Sequence, residues 1–505
     1  MGIMLNEDCN HFICTRKNII QSVDENYLNA FIDQYANTTV TDFIMNISAT
    51  LSFVPSKVLQ FAADKYLIKT EMGKTVNYTH TELAAAYHLW YEKNIDMYKI
   101  WIERCKFNKI NPWLSFRMND AELFNVPNHL LSEYYYEHLN DYARVRHRKP
   151  RTAIECCRDY EIDDHRNLLL LYIEEMLERY DVYGIELDFQ REIYCFRIGH
   201  EWDGSSIMTD FMEKVKNIVV AAEQKHQHRI QIMVRCHAHP EDSLELGFDI
   251  ATWAQNGFLD IVVPAPNWLT SDNSMPLKLW HSLLGPYGVS VVGCIDANIN
   301  SNPDYFSIIE KDLNTKGLRK HSYETLCASA VSIMSQLPHN NIYLFNYMDC
   351  PKTVEENLKK FFLSTEDYKR IIATVGDIEK IVNLPRRHVL TYNDTTLPWK
   401  QNNAVLPLVF SDSNEAKYLR IETGRIPDGK HCVLRLGMTK LGNTEIYVNS
   451  IKATYIRREP CEAPVLTESP LYCFEIPQTA LKSQVQIVEI IAENITVDYA
   501  DITVT

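Results

Sequence analysis

Carboxyl groups at alternate positions of one apolar run are the first chemical signal in this sequence. Glu186 and Asp188 stand in the run YGIELDF, where Ile185, Leu187 and Phe189 fill the positions between and beside them. Residues two apart in a β-strand point to the same side, so the two acids share one face. A carboxylate there can act as nucleophile, base or acid, depending on its pKa. We predict a catalytic role for Asp188 and a place in a deeper ion network for Glu186.

The same alternation assigns inward-facing polar side chains to the ends of other apolar runs. Arg117 and Asn119 end one run, and Arg235 and His237 end another. A buried carboxylate without a cation is costly, so the two arginines are the expected partners of Glu186. These four residues and Glu186 are expected to line one substrate site. The further predicted contacts in that site are Asn6, Asn46, Asp120, Arg191, Trp268, Asn346 and Tyr347.

A pair of carboxyl groups is what hydrolysis of a glycosidic bond requires, one to protonate the leaving oxygen and one to attack or to activate water. Besides Asp188, the sequence offers Asp8 and Asp296, which alternation directs inward and which are slightly preferred for that reason. Glu201 in the loop segment GHEWDG, Asp120 and Glu192 are the other candidates for the second catalytic carboxyl group. Trp202, next to Glu201, is either a stacking surface for a sugar ring or an ordinary packing residue.

Eight apolar segments alternate with amphipathic helical patterns. These elements must position the polar residues that stand at the ends of the apolar segments. Strands that alternate with helices in this way indicate a parallel (β/α)₈ barrel, whose active sites lie at the carboxyl ends of the strands. An open doubly wound sheet is the alternative, but no glycine-rich nucleotide-binding motif follows any strand. The predicted strands span residues 2–8, 41–48, 112–120, 183–189, 229–237, 259–266, 289–296 and 341–349.

The chain changes character after residue 385. Short alternating strands separated by turn residues follow, such as YLRIETG, HCVLRLG and VQIVEIIAENITV. This pattern predicts an antiparallel, jelly-roll-like β-sandwich over 386–505, behind a barrel domain over 1–385. We expect the sandwich to support the barrel. Sugar binding is the alternative role, although no aromatic platform is evident in the sequence.

Composition restricts the classes of partner. A net charge of −15, with basic residues interspersed among acids, argues against a nucleic-acid surface, and the basic segment 144–151 is expected to be a solvated loop. No apolar run is long enough to cross a bilayer, and the N-terminal residues lack the pattern of a signal peptide. Thirteen scattered cysteines indicate reduced thiols. We therefore expect a cytoplasmic protein with a carbohydrate substrate, without cofactor or metal, and with its oligomeric state open.

Three segments together resemble a group of bacterial glycoside-hydrolase-like (β/α)₈ barrel proteins. They are LNEDCNHF near the N-terminus, PWLSFRMND and GIELDFQRE, and the similarity extends to FNYMD in the last predicted barrel strand. The resemblance implies a barrel enzyme followed by a β domain. The chain departs from the group where AEL follows Asn119 and Asp120, in place of a His-containing segment, and where Gln190 and Arg191 replace an apolar-Arg pair.

Three functions stay open at this point. The leading hypothesis is a glycoside hydrolase, and the second is a non-catalytic carbohydrate-binding barrel. The third is a metal-dependent hydrolase using His237, His239 and Asp349, although the first strand lacks the paired histidines of such enzymes. Arginines near the mouth would favour an acidic sugar through paired hydrogen bonds. They are Arg117, Arg158, Arg191 and Arg235.

Overall fold

A computed structural model describes most of the chain. The described residues are 2–16, 19–65, 81–121, 130–266, 270–299, 320–350, 363–392, 397, 399–400, 404–411, 415–460, 467 and 469–505. Trp268, one of the predicted substrate contacts, lies outside the described residues.

One sheet of parallel strands forms the first architectural unit. Its strands are β1 (Gly2–Glu7), β2 (Val40–Ser48), β3 (Asn111–Arg117), β4 (Gly184–Asp188), β5 (Gln231–His237), β6 (Ile261–Ala265), β7 (Ser290–Val291), β8 (Gly293–Asp296) and β9 (Asn341–Phe345). The order along the sheet is β7-β6-β5-β4-β3-β2-β1-β9-β8. Because β7 and β8 are one segment interrupted only at Val292, the two ends of this order meet and the sheet closes. The predicted (β/α)₈ barrel is confirmed, with its seventh strand in two parts.

Helices connect the strands and cover the barrel. They are α1 (Cys9–Cys14), α2 (Ile19–Ser22), α3 (Glu25–Asp33), α4 (Thr81–Glu92), α5 (Met97–Phe107), α6 (Glu133–Glu137), α7 (Ala153–Cys156), α8 (Asp163–Arg179), α9 (Glu201–His226), α10 (Pro240–Glu245), α11 (Ile250–Gln255), α12 (Leu277–Leu284), α13 (Tyr323–Met334), α14 (Thr365–Thr374) and α15 (Ile378–Ile381). Helix α8 begins with two acids and ends on Arg179, as the helix dipole favours. It delivers the chain directly into β4.

The two faces of the barrel strands belong to different apolar clusters. Ile185 and other outward residues join the large core shared with the helices. Inward residues such as Met233 form a smaller, separate cluster inside the barrel. Glu186 pairs in register with Met233, and Asp188 pairs with Arg235, so both acids of β4 occupy inward positions. The alternation predicted from the sequence therefore holds for this strand.

Antiparallel strands form the second unit, after a short parallel pair, β10 (Asp349–Cys350) and β11 (Leu363–Ser364). One sheet has the order β12-β21-β15-β19-β18, with β13 also on β21, and the other has the order β14-β20-β16-β17. Side chains from both sheets share one apolar core, which makes the unit a β-sandwich. The strands are β12 (Arg386–Val389), β13 (Leu408–Val409), β14 (Glu415–Glu422), β15 (Cys432–Met438), β16 (Glu445–Val448), β17 (Ile451–Lys452), β18 (Thr454–Glu459), β19 (Leu471–Glu475), β20 (Val485–Ala492) and β21 (Thr496–Val504).

The sandwich packs against the barrel through α13. Ser332 Oγ donates a hydrogen bond to the carbonyl of Glu422 at 2.8 Å. Gly424 has a φ of +60°, and a Cβ added there would lie 2.6 Å from the carbonyl oxygen of Val331. A side chain at this position would therefore separate the two units.

Two predictions from composition concern the described residues. Nine of the cysteines whose side chains the structure describes are free and buried, and their reduced state stays a prediction. Among the helices that the structure describes, none has the length and apolar character needed to cross a bilayer.

Candidate functional site

Asp188 ends β4 in a two-point ion pair with Arg235. The Nε and Nη2 atoms of Arg235 donate to Asp188 Oδ1 and Oδ2 at 2.9 and 3.0 Å, and both side chains are buried. The backbone N–H of Gln190 also donates to Oδ1, at 3.1 Å. The guanidinium carbon of Arg235 lies 3.9 Å from the centroid of the Phe345 ring. These contacts hold the carboxylate of Asp188 in one orientation inside the barrel.

Glu186 lies deeper on the same face without a cation in contact. Within the described residues, neither of its carboxyl oxygens accepts a hydrogen bond of ordinary geometry. Burial raises the pKa of Glu186 to about 7; the charge of Asp188 adds to this rise, while Arg235 and the hydroxyl groups of Ser115 and Tyr343 oppose it. The prediction that Glu186 belongs to an ion network with Arg117 and Arg235 is therefore wrong. Arg235 bonds Asp188 instead, because the two are direct partners in the register of β4 and β5.

Arg117 at the end of β3 bridges two other acids. Its Nη2 atom donates to Asp8 Oδ2 at 2.8 Å, and its Nη1 atom donates to Asp120 Oδ2 at 2.9 Å. Arg117 and Asp120 are buried, whereas the side chain of Asp8 keeps 20% of its surface exposed. The expectation that Arg117 neutralises Glu186 is also wrong, because the guanidinium of Arg117 is bonded to Asp8 and Asp120 instead. Asp120 is part of this ion network.

Asn119 connects loops outside the barrel interior. Its Oδ1 atom accepts the backbone N–H of Arg158 at 2.9 Å, and its Nδ2 atom donates to the carbonyl of Arg158 at 3.1 Å. Strand β3 ends at Arg117, so strand alternation no longer sets the direction of Asn119. Arg158 itself lies over the ring of Tyr135 at 3.8 Å. Asn119 and Arg158 therefore have contacts within the protein, and their contact with a ligand stays a prediction.

Glu201 begins α9 and points into the protein. Its Oε1 atom lies 3.4 Å from Arg144 Nη2, and its Oε2 atom accepts the backbone N–H of Gly199 at 2.7 Å. Arg144 also donates to the carbonyl of Phe196 at 2.9 Å. This candidate for the second catalytic carboxyl group is thus held in a buried ion pair. Arg144 belongs to the segment 144–151 that was expected to be solvated, and for this residue that expectation is wrong.

Asp296 ends β8, which is three strands away from β4 around the closed barrel. Its Oδ1 atom accepts the backbone N–H of Asn298 at 3.1 Å, and its carbonyl accepts the hydroxyl of Tyr347 at 3.0 Å. Cys294 lies two residues earlier on the same face. Cys294 belongs to the apolar cluster inside the barrel, so this face of β8 points inward. Asp188 and Asp296 therefore both end barrel strands at inward positions.

Four further predicted contacts lie at or beyond the carboxyl ends of the strands. Asn6 is buried on β1, and Asn46 Nδ2 on β2 donates to the carbonyl of Ser48 at 2.9 Å. Asn346 follows β9 with a φ of +61°, a left-handed conformation that Asn tolerates better than most residues. Arg191 follows β4 and is partly exposed. Contact of these residues with a ligand stays a prediction.

The histidines considered as metal ligands have other neighbours. His237 Nδ1 accepts the backbone N–H of His239 at 3.0 Å, and His239 Nε2 lies 3.5 Å from Asp272 Oδ2. Asp349 pairs with Arg16 at 3.0 Å. Over the described ranges, no three potential metal-binding side chains gather in one place. The metal-dependent alternative therefore has no support from these residues.

A buried charged cluster on the outer face of β1 was not anticipated. Glu7 Oε1 lies 2.7 Å from His11 Nδ1, and His11 Nε2 lies 3.5 Å from Asp349 Oδ1. The signal was present in the sequence, because NEDCNH places His11 four residues after Glu7 at the start of a helix. Glu7 and Asp8 are adjacent, so they face opposite sides of the strand: Glu7 joins this cluster, and Asp8 joins Arg117.

Comparison with known proteins gives a likeness of fold. No protein-family model matches the chain, and no curated protein matches its sequence. Similar solved structures include a cycloisomaltooligosaccharide glucanotransferase from Paenibacillus sp., at 10% identity and a TM-score of 0.35, covering 99% of this chain and 57% of that one. The glycoside hydrolase domain of PgaB (BpsB) from Bordetella bronchiseptica gives 12% identity and a TM-score of 0.38, covering 74% of this chain and 98% of that one.

A third similar structure is the group IV chitinase of Ostrinia furnacalis, at 10% identity and a TM-score of 0.35, covering 68% of this chain and 91% of that one. Several of the similar structures are thus glycoside hydrolases. The chain spans little more than half the length of the glucanotransferase. Identities and TM-scores this low identify no activity for this chain.

Proposed function

We propose that this protein is a glycoside hydrolase whose active site lies at the carboxyl ends of the barrel strands. The observation that carries the proposal is that Asp188 and Asp296 both occupy inward positions at the carboxyl ends of barrel strands. Two carboxyl groups from different strands can flank a sugar ring and divide the roles of acid and of nucleophile or base. Among the candidates for the second carboxyl group, Asp296 is favoured over Glu201, which is bonded to Arg144.

The proposed roles follow from the contacts. Asp188 supplies a carboxylate whose orientation is fixed by Arg235 and by the N–H of Gln190. Asp296 supplies the second carboxyl group. Glu186 acts as a positioning residue beneath Asp188: because its pKa is about 7, the charge next to Asp188 changes near neutral pH. Turnover should then depend on pH in this range.

A neutral glycan is the proposed substrate, in place of the acidic sugar considered from the sequence. The acidic sugar would need arginines available for its carboxylate. Arg117 is bonded to Asp8 and Asp120, and Arg235 is bonded to Asp188. Arg158 is stacked on a tyrosine ring and bonded to backbone carbonyls. Arg117, Arg158 and Arg235 therefore have partners within the protein.

A panel of 4-nitrophenyl glycosides tests the proposal, including neutral hexosides, N-acetylhexosaminides, uronides and sialosides. We expect hydrolysis of a neutral member, with Asp188→Asn and Asp296→Asn each lowering kcat/KM by about 10²–10⁴-fold. Asp8→Asn is the matched control, because it also removes the charge of an aspartate that is paired with an arginine, here Arg117. This variant should retain most of the activity. Wild-type turnover in a folded Asp188→Asn variant, or no hydrolysis of any neutral glycoside, would contradict the proposal.

A non-catalytic carbohydrate-binding barrel is the second candidate. It is favoured by the geometry of Arg235, which bonds both carboxylate oxygens of Asp188 and so competes with their use as base or nucleophile. Under this alternative, neutral oligosaccharides would raise the thermal unfolding midpoint without being hydrolysed. Under the hydrolase proposal, the same oligosaccharides would be cleaved into shorter sugars.

A further inference from the structure

A groove on the outer wall of the barrel lies apart from the site described above. It has a volume of about 790 Å³ and runs between the first turns of α9 and the helices that follow β5. Trp202, Asp203 and Ser206 line one side, and Asp249 and Thr252 line the other. The neighbouring residue Glu201 turns inward to Arg144, whereas Trp202 turns outward.

Trp202 gives the groove a large flat apolar surface. Its side chain is 70% exposed, although it begins a helix whose other aromatic residue, Phe211, is fully buried. A tryptophan ring combines an apolar face with one N–H donor, a combination common at binding surfaces. The ring stands at the edge of a concave surface, where a ligand would touch it and the opposite wall together.

Apart from Trp202 and Leu244, the described lining is polar and carries negative charge. Asp203 and Ser206 are exposed in the first turns of α9. Asp249 caps α11 by accepting the backbone N–H of Thr252 at 3.1 Å and its hydroxyl at 2.7 Å, which fixes the position of its carboxylate. Of the lining residues that the structure describes, none is Lys or Arg. The groove therefore offers hydrogen-bond acceptors and hydroxyl groups, and it repels anions.

We infer that this groove is a second carbohydrate-binding site, which takes a neutral glycan. A pyranose ring has a C–H face that can stack on Trp202 and hydroxyl groups that can donate to Asp203 and Asp249. The two acids exclude uronic acids and sulfated sugars. Because α9 begins just beyond the loop after β4, the groove lies towards the same end of the barrel as Asp188. The site goes beyond the proposed hydrolysis and does not depend on it.

Native electrophoresis in gels containing soluble polysaccharides tests the inference on the full chain. The neutral probes are starch, galactomannan, mixed-linkage glucan and hydroxyethyl cellulose, and the anionic probe is polygalacturonate. We expect at least one neutral polymer to retard the protein, and polygalacturonate not to. Trp202→Ala should weaken binding at least tenfold. Phe107→Ala is the matched control, because Phe107 is an equally exposed aromatic residue, 71% exposed, at the other end of the barrel.

The outcomes separate this inference from the proposed function. Three outcomes would each overturn the inference that the groove binds a neutral glycan. They are equal retardation of the Trp202→Ala variant and the wild type, preferential retardation by polygalacturonate, and no retardation by any neutral polymer. Asp188→Asn should abolish hydrolysis and leave retardation unchanged. Retardation that depends on Trp202, in a protein that hydrolyses no glycoside, would overturn only the proposed function.

Discussion

Two buried carboxyl groups, one in each architectural unit, have opposite surroundings. In the sandwich, Asp501 lies between Arg387 and Arg435, with a nitrogen of each at 2.8 Å. Burial alone would raise its pKa, but the two arginines hold the pKa of Asp501 below its ordinary range. In the barrel, no arginine among the described residues contacts Glu186, and burial raises its pKa to about 7.

The difference shows that burial alone does not separate a structural acid from one poised for proton exchange. An acid with two guanidinium groups in contact stays charged and holds three strands together. An acid with the same burial and no contacting cation retains a proton near neutral pH. In the barrel, the acid that titrates near neutral pH is Glu186, beside Asp188. In the sandwich, the buried acid is Asp501, whose charge is neutralised by two arginines.

The largest expected effect concerns stability of the sandwich. Asp501→Asn would leave Arg387 and Arg435 buried without their carboxylate, and we expect it to lower the free energy of unfolding by about 3–5 kcal/mol. Urea unfolding followed by circular dichroism measures this loss. Glu475→Gln is the control, because its pair with His431 is exposed, and it should cause no measurable change. Equal effects of the two substitutions would contradict the structural role of Asp501.

The next effect is on the pH dependence of stability, through Glu186. Its folded-state pKa of about 7 lies above the ordinary value of 4.5, so its stabilising contribution is complete below pH 4.5. That contribution is lost as the pH rises through about 7. The difference corresponds to about 3 kcal/mol, and Glu186→Gln should remove it.

Unfolding midpoints of the wild type and of Glu186→Gln between pH 4.5 and 8 measure this contribution. Parallel curves for the two proteins over the whole range would show that Glu186 does not titrate there. The Asp501 carboxylate behaves in the opposite sense: its contribution is present above its ordinary pKa of 3.8 and is lost as the pH falls through its lowered pKa. It should therefore affect only the acid limb of the curve.

The smallest effect concerns a third buried acid, Glu201, which has a single arginine neighbour at 3.4 Å. Glu201→Gln should lower the free energy of unfolding by about 1–3 kcal/mol, because one polar contact of Arg144 is lost. It should leave the hydrolysis of any active glycoside unchanged. Thermal unfolding and kcat/KM on one preparation measure both effects. Loss of turnover in the folded variant would instead make Glu201 the second catalytic carboxyl group.

Much of the fold follows from local patterns in the sequence. The alternation in YGIELDF directs Glu186 and Asp188 inward because successive side chains of a strand point to opposite faces. The same rule directs Asp8 inward, where it bonds Arg117, and it directs Asp296 to the inward face that carries Cys294. It fails at Asn119, because the strand has already ended at Arg117 and the chain has turned into a loop.

The partners of these side chains were decided only by the tertiary structure. Alternation gives a direction, whereas an ion pair depends on strand order and register, which place Asp188 beside Arg235 and bring Asp8 to Arg117. Those pairings leave Glu186 without a contacting cation, and its pKa is set by that absence together with burial. The sequence determined by itself which groups face inward; only packing of distant segments determined which of them are neutralised.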